Sequence, residues 1–375
     1  MVKFSDLKKD PQSPVNQARP RGGEKGASGS GLSFSQLDRA RGGATFQGIS
    51  REKPRRAEDR EALYEKAVGY LDQVFEIVKK RQRFSLEAGI QIIREVAADT
   101  SHGDPILIKA IHSDDPEKFI VKNCVNVAII ALKTAQNLGF TPERQIKIGL
   151  AGLLHEVGMG VIPGKLIYAK DELTAQEAEI FKKRTEYGYK ILSEFGPEYS
   201  FLAETILQIH ERIDGSGYPA GLRGDEIGEF AQIIGLVDQY EALIHSRPQR
   251  EKLLYFAAAK EIIKTGKRGF HKKYIKALLN TCSIFPVDSY VQLNSNAIGR
   301  VIETYPEHPM KPKLQVVYDS QGHRVLTERI VDLNVNSILF IVDSVPKEYL
   351  QQLARGLFIT NMPISAHHVS SVCMA

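Results

Sequence analysis

The chain has 375 residues, which is room for one large domain or two smaller ones. Hydrophobic residues make up 42% and charged residues 25%, an ordinary balance for a packed globular protein, and no apolar run approaches the roughly 20 residues needed to cross a bilayer. The net charge of +5 belongs to residues 1–57, where 12 Lys/Arg stand against 5 Asp/Glu, so the remainder is close to neutral and a nucleic-acid partner is not expected for it.

Residues 1–57 are rich in Gly, Pro, Ser, Arg and Lys. Because they cannot bury enough apolar surface to offset the entropy of ordering, they are predicted to form a disordered basic arm. The arm could contact RNA, DNA or acidic lipid, but an inert solvated tail is the preferred interpretation. The start lacks the apolar core of a signal peptide. The cysteines, Cys124, Cys282 and Cys373, are scattered and form no CxxC pair, so a reducing, cytoplasmic compartment is expected.

Residues 58–282 show the three- and four-residue apolar spacing of helices. In ALYEKAVGYLDQVFEIVKK, the residues Leu63, Ala67 and Leu71 fall on one helix face. Eight more helical segments follow in chain order: SLEAGIQIIREVAADT, VNVAIIALKTAQNLGF, PERQIKIGLAGLLHEVG, LTAQEAEIFKKRTEYGYKILSEFG, FLAETILQIHE, EFAQIIGLVDQYEALIHS, EKLLYFAAAKEIIKTGK and KKYIKALLNTCS. With almost no strand pattern among them, this region is predicted to be an all-α domain.

After Pro286 the apolar period changes to two. The segments DSYVQL, AIGRVIET, KLQVVYD, HRVLTERIV and SILFIVDSV are short and rich in Val and Ile, with turn residues between them. Residues 283–345 are therefore predicted to form a small β module, and residues 346–375 a C-terminal tail that begins with a short helical segment, KEYLQQLARG. The predicted fold class is mainly α: an all-helical domain with a small C-terminal β module and a disordered N-terminal arm.

Three segments of the helical region carry candidate chemistry. The first is LLHEVG, which ends an apolar helix and contains His155; the second is HERIDGSGYP, which begins at His210. The third is DQYEAL, which begins at Asp238 and is followed by Arg247 and Arg250. Taken singly each is weak, because a lone histidine on a helix is more often structural, and a GSGYP stretch can be only a turn whose glycines supply positive φ.

Taken together, in this order and spacing, the segments resemble the HD-GYP family, a branch of the HD phosphohydrolases. The resemblance runs from about Ala57 to Cys282 and is most specific in HERIDGSGYPAGLRGDEI. It implies an all-helical domain that binds two or three metal ions, commonly iron or manganese, and hydrolyses cyclic di-GMP, a bacterial second messenger. A metal pair suits this reaction because it lowers the pKa of a bridging water and neutralises the charge that develops on the phosphate.

Several metal-binding positions of that family are replaced here. Three of its histidine positions hold Asn123, Arg184 and Ile209, and its HD dyad is His155-Glu156. The remaining candidate metal ligands are His155, Glu156, His210 and Asp238. Arg184 brings a permanent charge to a place where a metal ion is expected, and it could pair with Glu156 or Asp238 in place of that ion. The expected cofactor is one iron, manganese or other divalent ion, or none, and no residue is assigned a catalytic role.

Fewer of the substrate-binding positions of that family are replaced than of its metal-binding positions. The candidate substrate-binding residues are Asp214, Gly217, Tyr218, Pro219, Arg247 and Arg250. The two arginines could clamp phosphates through paired donors, whereas the loop residues could persist only because the fold requires their shape. The sequence leaves both interpretations open. A lysine that the family uses after its HD dyad is Met159 here.

Three functions follow from these residues. The first is a degenerate HD-GYP protein of cyclic di-GMP signalling, non-catalytic or weakly active, which binds cyclic di-GMP, a related nucleotide or only protein partners. The second is an enzyme in which a single metal ion supports slow phosphodiester hydrolysis. The third, ranked last, is a nucleic-acid-associated protein that uses the basic arm, where aromatic residues for base stacking are sparse.

Overall fold

A computed structural model describes residues 57–99, 104–113, 115, 118–169, 171–247 and 251–354. The predicted arm, except for Ala57, lies outside the described residues, as do Arg250 and the predicted tail beyond Ala354. The predicted fold class is confirmed, because a helical region is followed by a small antiparallel sheet. The limits predicted for the domains stay predictions.

The α-helices before the sheet, in the part of the chain that the structure describes, are connected by short segments. They are α1 (Ala57–Lys79), α2 (Glu87–Ala98), α3 (Pro105–His112), α4 (Phe119–Asn137), α5 (Pro142–Leu153), α6 (Gly164–Ile167), α7 (Ala175–Lys182), α8 (Arg184–Ser193), α9 (Ser200–Gln208), α10 (Glu229–Ile244), α11 (Tyr255–Gly269) and α12 (Lys272–Cys282). A short 3₁₀ helix, Val157–Val161, follows α5.

Helix α4 lies at the centre of the helical domain. Every residue from Asn123 to Ala135 is buried, and α5, α10 and α12 all pack against this helix. By length and composition alone α4 could cross a membrane, but 72% of its apolar window is buried inside the fold. A helix that is apolar on all sides is expected at the core of a large helical domain.

One segment predicted as a single helix is two helices. Helix α7 begins with a capping box between Thr174 and Glu177 and ends at Lys182, and Lys183 separates it from α8 although its own backbone stays in the right-handed helical region. The break places Arg184 as the first residue of α8, where its carbonyl oxygen would lie 1.9 Å from a Cβ on Gly158. The sequence pattern could not predict the break, because the contact that fixes it joins two separate segments.

Helix α3 was missing from the sequence prediction. Its eight residues are too few to show a clear period, but its start carries a signal: the side chain of Asp104 accepts a hydrogen bond from the Leu107 backbone N–H at 3.4 Å, and Pro105 occupies the first turn.

The β module is a five-stranded antiparallel sheet in the order β4-β3-β2-β1-β5. The strands are β1 (Tyr290–Leu293), β2 (Ile298–Glu303), β3 (Lys313–Tyr318), β4 (Ile330–Asp332) and β5 (Ile341–Val345). One face buries Val291, Val301, Leu314 and Val316 together with Phe285. Helix α13 (Lys347–Ala354) packs against Ile298, Tyr318 and Val345 through Tyr349, Leu350 and Leu353. Both faces of the small sheet are therefore partly covered.

Two contacts among the described residues show how the β module packs against the helical domain. The rings of Phe285 and Phe256 of α11 lie 5.2 Å apart. Nε2 of His112, on α3, donates a hydrogen bond to the carbonyl of Val287 at 2.8 Å, and Nδ1 of the same ring accepts one from Tyr255 at 2.7 Å. The neutral imidazole thus links α3, α11 and the segment that precedes β1.

Candidate functional site

The candidate site forms where the ends of α5 and α9, the start of α8 and the middle of α10 lie beside one another. His155 and Glu156 follow the last turn of α5, and Arg184 starts α8. His210 follows α9, while Asp238 lies in the middle of α10, the helix that packs against α4. Because four separate elements supply these residues, packing of the helical core sets the geometry of the site.

The imidazole of His155 is held with one nitrogen turned into the site. Nδ1 donates a hydrogen bond to the Gly152 carbonyl at 2.8 Å, and Nε2 lies 3.6 Å from Oδ1 of Asp238. Nε2 of His155 and Oε2 of Glu156 are both buried without a hydrogen-bond partner among the described residues. Buried polar atoms are usually satisfied, so these two atoms mark a place where a further group could bind.

One metal ion fits this arrangement. His155, Glu156 and Asp238 each offer a ligand atom, and the three atoms lie within 4.8 Å of one another. Imidazole and carboxylate ligands suit iron, manganese and zinc. The fourth predicted ligand, His210, is not in this group, because its Nε2 is engaged by Arg184.

Arg184 fills the other side of the site. Its Nε donates to Oε1 of Glu156 at 3.2 Å, its Nη2 donates to Nε2 of His210 at 2.8 Å, and its guanidinium lies 4.4 Å from the ring centroid of Phe181. Burial and the adjacent guanidinium lower the pKa of His210 to about 4, so its imidazole is neutral and accepts this bond. Although burial opposes its charge, Arg184 lowers the pKa of Glu156 to about 2. The residues present do not fit a second ion here, since a cation already stands between Glu156 and His210.

Asn123 donates hydrogen bonds to two carboxylates on the buried side of the site. Its amide Nδ2 donates to Oδ1 of Asp238 at 3.0 Å and to Oε2 of Glu241 at 2.5 Å. Asn126 donates to the other oxygen of Glu241 at 3.0 Å and itself accepts from the hydroxyl of Tyr64 at 2.8 Å. Asn123 therefore acts as a donor to Asp238, in a family position where a histidine is expected to bind metal.

Glu241 is a site residue that sequence reasoning missed. It is buried and contacts His245 at 3.1 Å, and this ion pair together with the amides lowers its pKa although burial acts against its charge. A signal was present, because Glu241 follows Asp238 by three residues and so lies on the same face of α10.

Arg247 neutralises the two carboxylates of α10 from the outer side. Its Nη2 lies 3.6 Å from Asp238 and 3.6 Å from Glu241, and its side chain remains about a third exposed. Three carboxylates of the site thus meet cations that the chain itself supplies. Burial opposes a charge on His155, whereas the neighbouring Asp238 favours one and raises the pKa of the imidazole; a metal ion bound at Nε2 would take the place of that proton.

The loop that contains Gly217, Tyr218 and Pro219, called the GYP loop below, is shaped by Glu211, which sequence reasoning also missed. The buried carboxylate of Glu211 accepts hydrogen bonds from the backbone N–H groups of Ala220 at 2.7 Å, Gly221 at 3.1 Å and Leu222 at 3.0 Å. A Cβ on Gly217 would lie 2.4 Å from the Cα of Glu211. Close backbone approach therefore requires glycine at this position.

Of the other predicted loop residues, Asp214 and Pro219 belong to the turns of the loop, whereas Tyr218 faces the site. Asp214 is exposed and accepts bonds from the N–H and hydroxyl of Ser216, and Pro219 follows a cis peptide bond in the turn. Tyr218 stacks on His210 with ring centroids 5.1 Å apart and so faces the site. Ile209 is buried in the core, and its carbonyl oxygen would lie 2.2 Å from a Cβ on Gly235.

Two family models match the chain. Residues 106–271 match the model described as an HD domain, and residues 290–353 match the model described as a KOW domain associated with an HD domain.

Curated proteins similar to this chain include cyclic-dinucleotide phosphodiesterases. The cyclic di-GMP phosphodiesterase PdeB of Borreliella burgdorferi is 29% identical over 228 residues, which cover 61% of this chain and 57% of that protein. A cyclic di-GMP phosphodiesterase of Pseudomonas aeruginosa is 23% identical over 273 residues, 72% of this chain and 65% of that protein. The 3'3'-cGAMP-specific phosphodiesterase 1 of Vibrio cholerae is 29% identical over 168 residues, 44% of this chain and 36% of that protein. The match thus spans less than two thirds of the length of each of these relatives.

Proposed function

Because the helical region belongs to the HD superfamily and is of the HD-GYP type, we propose that this chain is a cytoplasmic signalling protein that binds a cyclic dinucleotide without hydrolysing it at an appreciable rate. Relatives named for cyclic di-GMP and 3'3'-cGAMP support a cyclic dinucleotide as the ligand class. A receptor of this kind passes the signal on through protein partners.

The position of Arg184 carries the proposal. Its guanidinium stands between Glu156 and His210, two of the four predicted ligands, at 3.2 Å and 2.8 Å. Hydrolysis of a phosphodiester gains from two metal ions because they stabilise both the attacking and the leaving oxygen. A fixed guanidinium can attract a phosphate, but it cannot lower the pKa of a bound water in the same way, so binding can persist where hydrolysis is lost.

Arg247 and Tyr218 are the residues placed to meet the nucleotide. Arg247 lies at the rim with part of its guanidinium exposed, and Tyr218 presents an aromatic ring next to Arg184. A guanidinium pairs well with phosphate oxygens, and an aromatic ring can stack on a base. The predicted partner of Arg247, Arg250, lies outside the described residues.

Calorimetric titration with cyclic di-GMP, and in parallel with 3'3'-cGAMP, tests this function. We expect saturable binding that Arg247→Met weakens by about tenfold or more, since a charge-assisted contact to phosphate contributes about 1.5–3 kcal/mol. Arg83→Met is the matched control, because Arg83 is exposed and pairs with Glu194 outside the site. Absence of heat at the highest nucleotide concentration would contradict nucleotide binding.

A second function, slow hydrolysis by a single metal ion, is favoured by one observation. His155, Glu156 and Asp238 can hold one ion, and two of their polar atoms have no other partner among the described residues. A bound ion would supply an acidified water and polarise the phosphate. Chromatography of cyclic di-GMP incubated with protein and Mn²⁺ or Fe²⁺ tests this function. Linear product that disappears in Asp238→Ala would support it, and product formed equally by that variant would exclude it.

A further inference from the structure

Helices α11 and α12 carry a dense group of basic side chains. Residues 255–282 contain seven Lys/Arg and one acidic residue, Glu261, although residues 58–375 as a whole hold 38 Lys/Arg against 40 Asp/Glu. The seven are all exposed: Lys260, Lys264, Lys267, Arg268, Lys272, Lys273 and Lys276. This pair of helices thus carries a local excess of positive charge, seven cations against one carboxylate.

Most of this charge is not neutralised within the described chain. Lys273 lies 3.6 Å from Glu229, and Lys260 lies over the ring of Phe256 at 4.0 Å. The other five cations have no carboxylate partner in the part of the chain that the structure describes. A surface with an excess of one sign of charge attracts ligands of the opposite sign.

The same cations border an apolar groove. The groove, about 430 Å³ in volume, lies where α11 and α12 meet the β module, and Lys267, Lys272 and Lys276 line it. Asn280 and one carboxylate, Glu307, complete its polar lining, so three lysines stand against one acidic residue. Its apolar lining consists of Ile263, Ile275, Leu279, Ile284, Pro306 and Pro309. Ile263 is 38% exposed and therefore presents apolar surface at the groove. We call this feature the lysine groove.

We propose that the lysine groove binds an acidic amphipathic helix of a partner protein. The apolar side chains of such a helix would enter the groove, and its carboxylates would pair with Lys267, Lys272 and Lys276. Helix-in-groove recognition combines these two features, since buried apolar anchors supply affinity and complementary charge supplies specificity and a fast association rate.

An acidic protein segment fits the groove better than nucleic acid does. A duplex has no apolar side chains to fill the groove, and among the residues that line it none is aromatic, so unpaired bases would find no ring on which to stack. The apolar lining would stay exposed beneath a nucleic-acid backbone. It is covered when the ligand carries leucine-like side chains on one face and carboxylates at its edges.

Fluorescence anisotropy of the whole chain with defined probes tests the proposal. The main probe is a labelled helical peptide of Leu and Glu, about five turns long, with its leucines on one face. A scrambled peptide of the same composition and a DNA duplex of similar length serve as comparison probes. We expect the amphipathic peptide to bind, and to bind more tightly than either comparison probe. Tighter binding of the duplex, equal binding of the scrambled peptide, or no binding of the amphipathic peptide would overturn the proposal.

Charge reversal locates the binding site. Lys267→Glu combined with Lys276→Glu is expected to weaken binding of the amphipathic peptide by about tenfold or more, because each change removes an attraction and adds a repulsion. Lys80→Glu combined with Lys190→Glu is the matched control. Both lysines are exposed and lie away from the groove, Lys80 just after α1 and Lys190 on α8. Equal weakening by the two pairs of changes, or none by the first, would overturn the proposal. All four lysines are exposed, so circular dichroism is expected to show unchanged folding.

Discussion

At the scale of single residues, Arg184 is the substitution with the largest consequence. It is buried, it contacts Glu156 and His210, and it stacks on Phe181. A histidine in this place would offer a lone pair to a metal ion, whereas the guanidinium only donates. The charge of Glu156 is therefore balanced by the chain itself.

Removal of the Arg184 charge should destabilise the fold. In Arg184→Met the carboxylate of Glu156 stays buried without its partner, a situation that costs about 3–5 kcal/mol of unfolding free energy. Adding Glu156→Gln should restore a large part of this loss, because the buried charge is gone. Urea denaturation of both variants and of Arg83→Met, the exposed control, measures the coupling. Additive effects of the two substitutions would contradict a direct pair.

The sequence motifs predicted some of the residues of the site but not the side chains with which they interact. The motif positions led to Arg184 beside a carboxylate, because the family pattern assigns those positions to one site. Asn123 as a donor to Glu241, and Glu211 as an acceptor for the loop, could not be predicted, since each interaction depends on how α4, α10 and the loop pack. The sequence also predicted His210 as a ligand; its Nε2 accepts a hydrogen bond from Arg184, and the role of His210 as a ligand stays a prediction.

At the scale of elements, the GYP loop depends on one carboxylate. Glu211 accepts three backbone N–H groups that point inward from the turn after Pro219, and Gly217 lets the backbone pass within contact of Glu211. These contacts favour the interpretation that part of the GYP motif serves the shape of the loop. Tyr218, which stacks on His210, connects that shape to the site.

Substitution of Glu211 should loosen the loop. Glu211→Gln keeps the size of the side chain but replaces one acceptor oxygen with a donor, so at least one buried N–H loses its partner at a cost of about 1–3 kcal/mol. Hydrogen exchange at residues 220–222 should accelerate, and the unfolding free energy should fall. Glu204→Gln, on the exposed side of α9, is the control. Unchanged exchange at residues 220–222 would show that the carboxylate does not hold the loop.

The helices themselves were largely predictable, because apolar residues recur at helical spacing over long segments such as α1, α4 and α10. The prediction failed where a local cap, or a contact between distant segments, accompanies a helix boundary that periodicity does not show. The start of α3 depends on the Asp104 cap, and the break before α8 depends on the contact between Gly158 and the Arg184 carbonyl. The period-two pattern after Pro286 predicted the strands, but only the structure gives their order in the sheet.

At the scale of the whole molecule, His112 connects the helical domain to the β module. Its neutral ring donates to Val287 and accepts from Tyr255, and burial lowers its pKa below the usual 6.5. Protonation would remove the acceptor nitrogen that Tyr255 uses. The attachment of the two parts therefore favours the neutral form.

Acid should weaken this connection. As pH falls below 6.5, His112 in the unfolded chain binds a proton while the folded chain does not, so its contribution to stability is complete above 6.5 and is lost as pH falls toward its lowered folded pKa. His112→Gln cannot titrate. The excess in unfolding free energy of the unsubstituted protein over this variant should shrink between about pH 7.5 and pH 5, at no more than about 1.4 kcal/mol per pH unit. A constant difference across this range would contradict the pKa shift.

Metal content most directly tests the central claim, that Arg184 takes the place of a metal ion in a site that binds but does not hydrolyse. The purified protein, prepared without oxygen, would be analysed for iron, manganese and zinc beside Arg184→His, which restores a possible ligand. The account predicts at most one equivalent of metal in the unsubstituted protein, held by His155, Glu156 and Asp238, and a higher content in Arg184→His. Two equivalents in the unsubstituted protein would contradict it, because Arg184 would then not stand in the place of a metal ion.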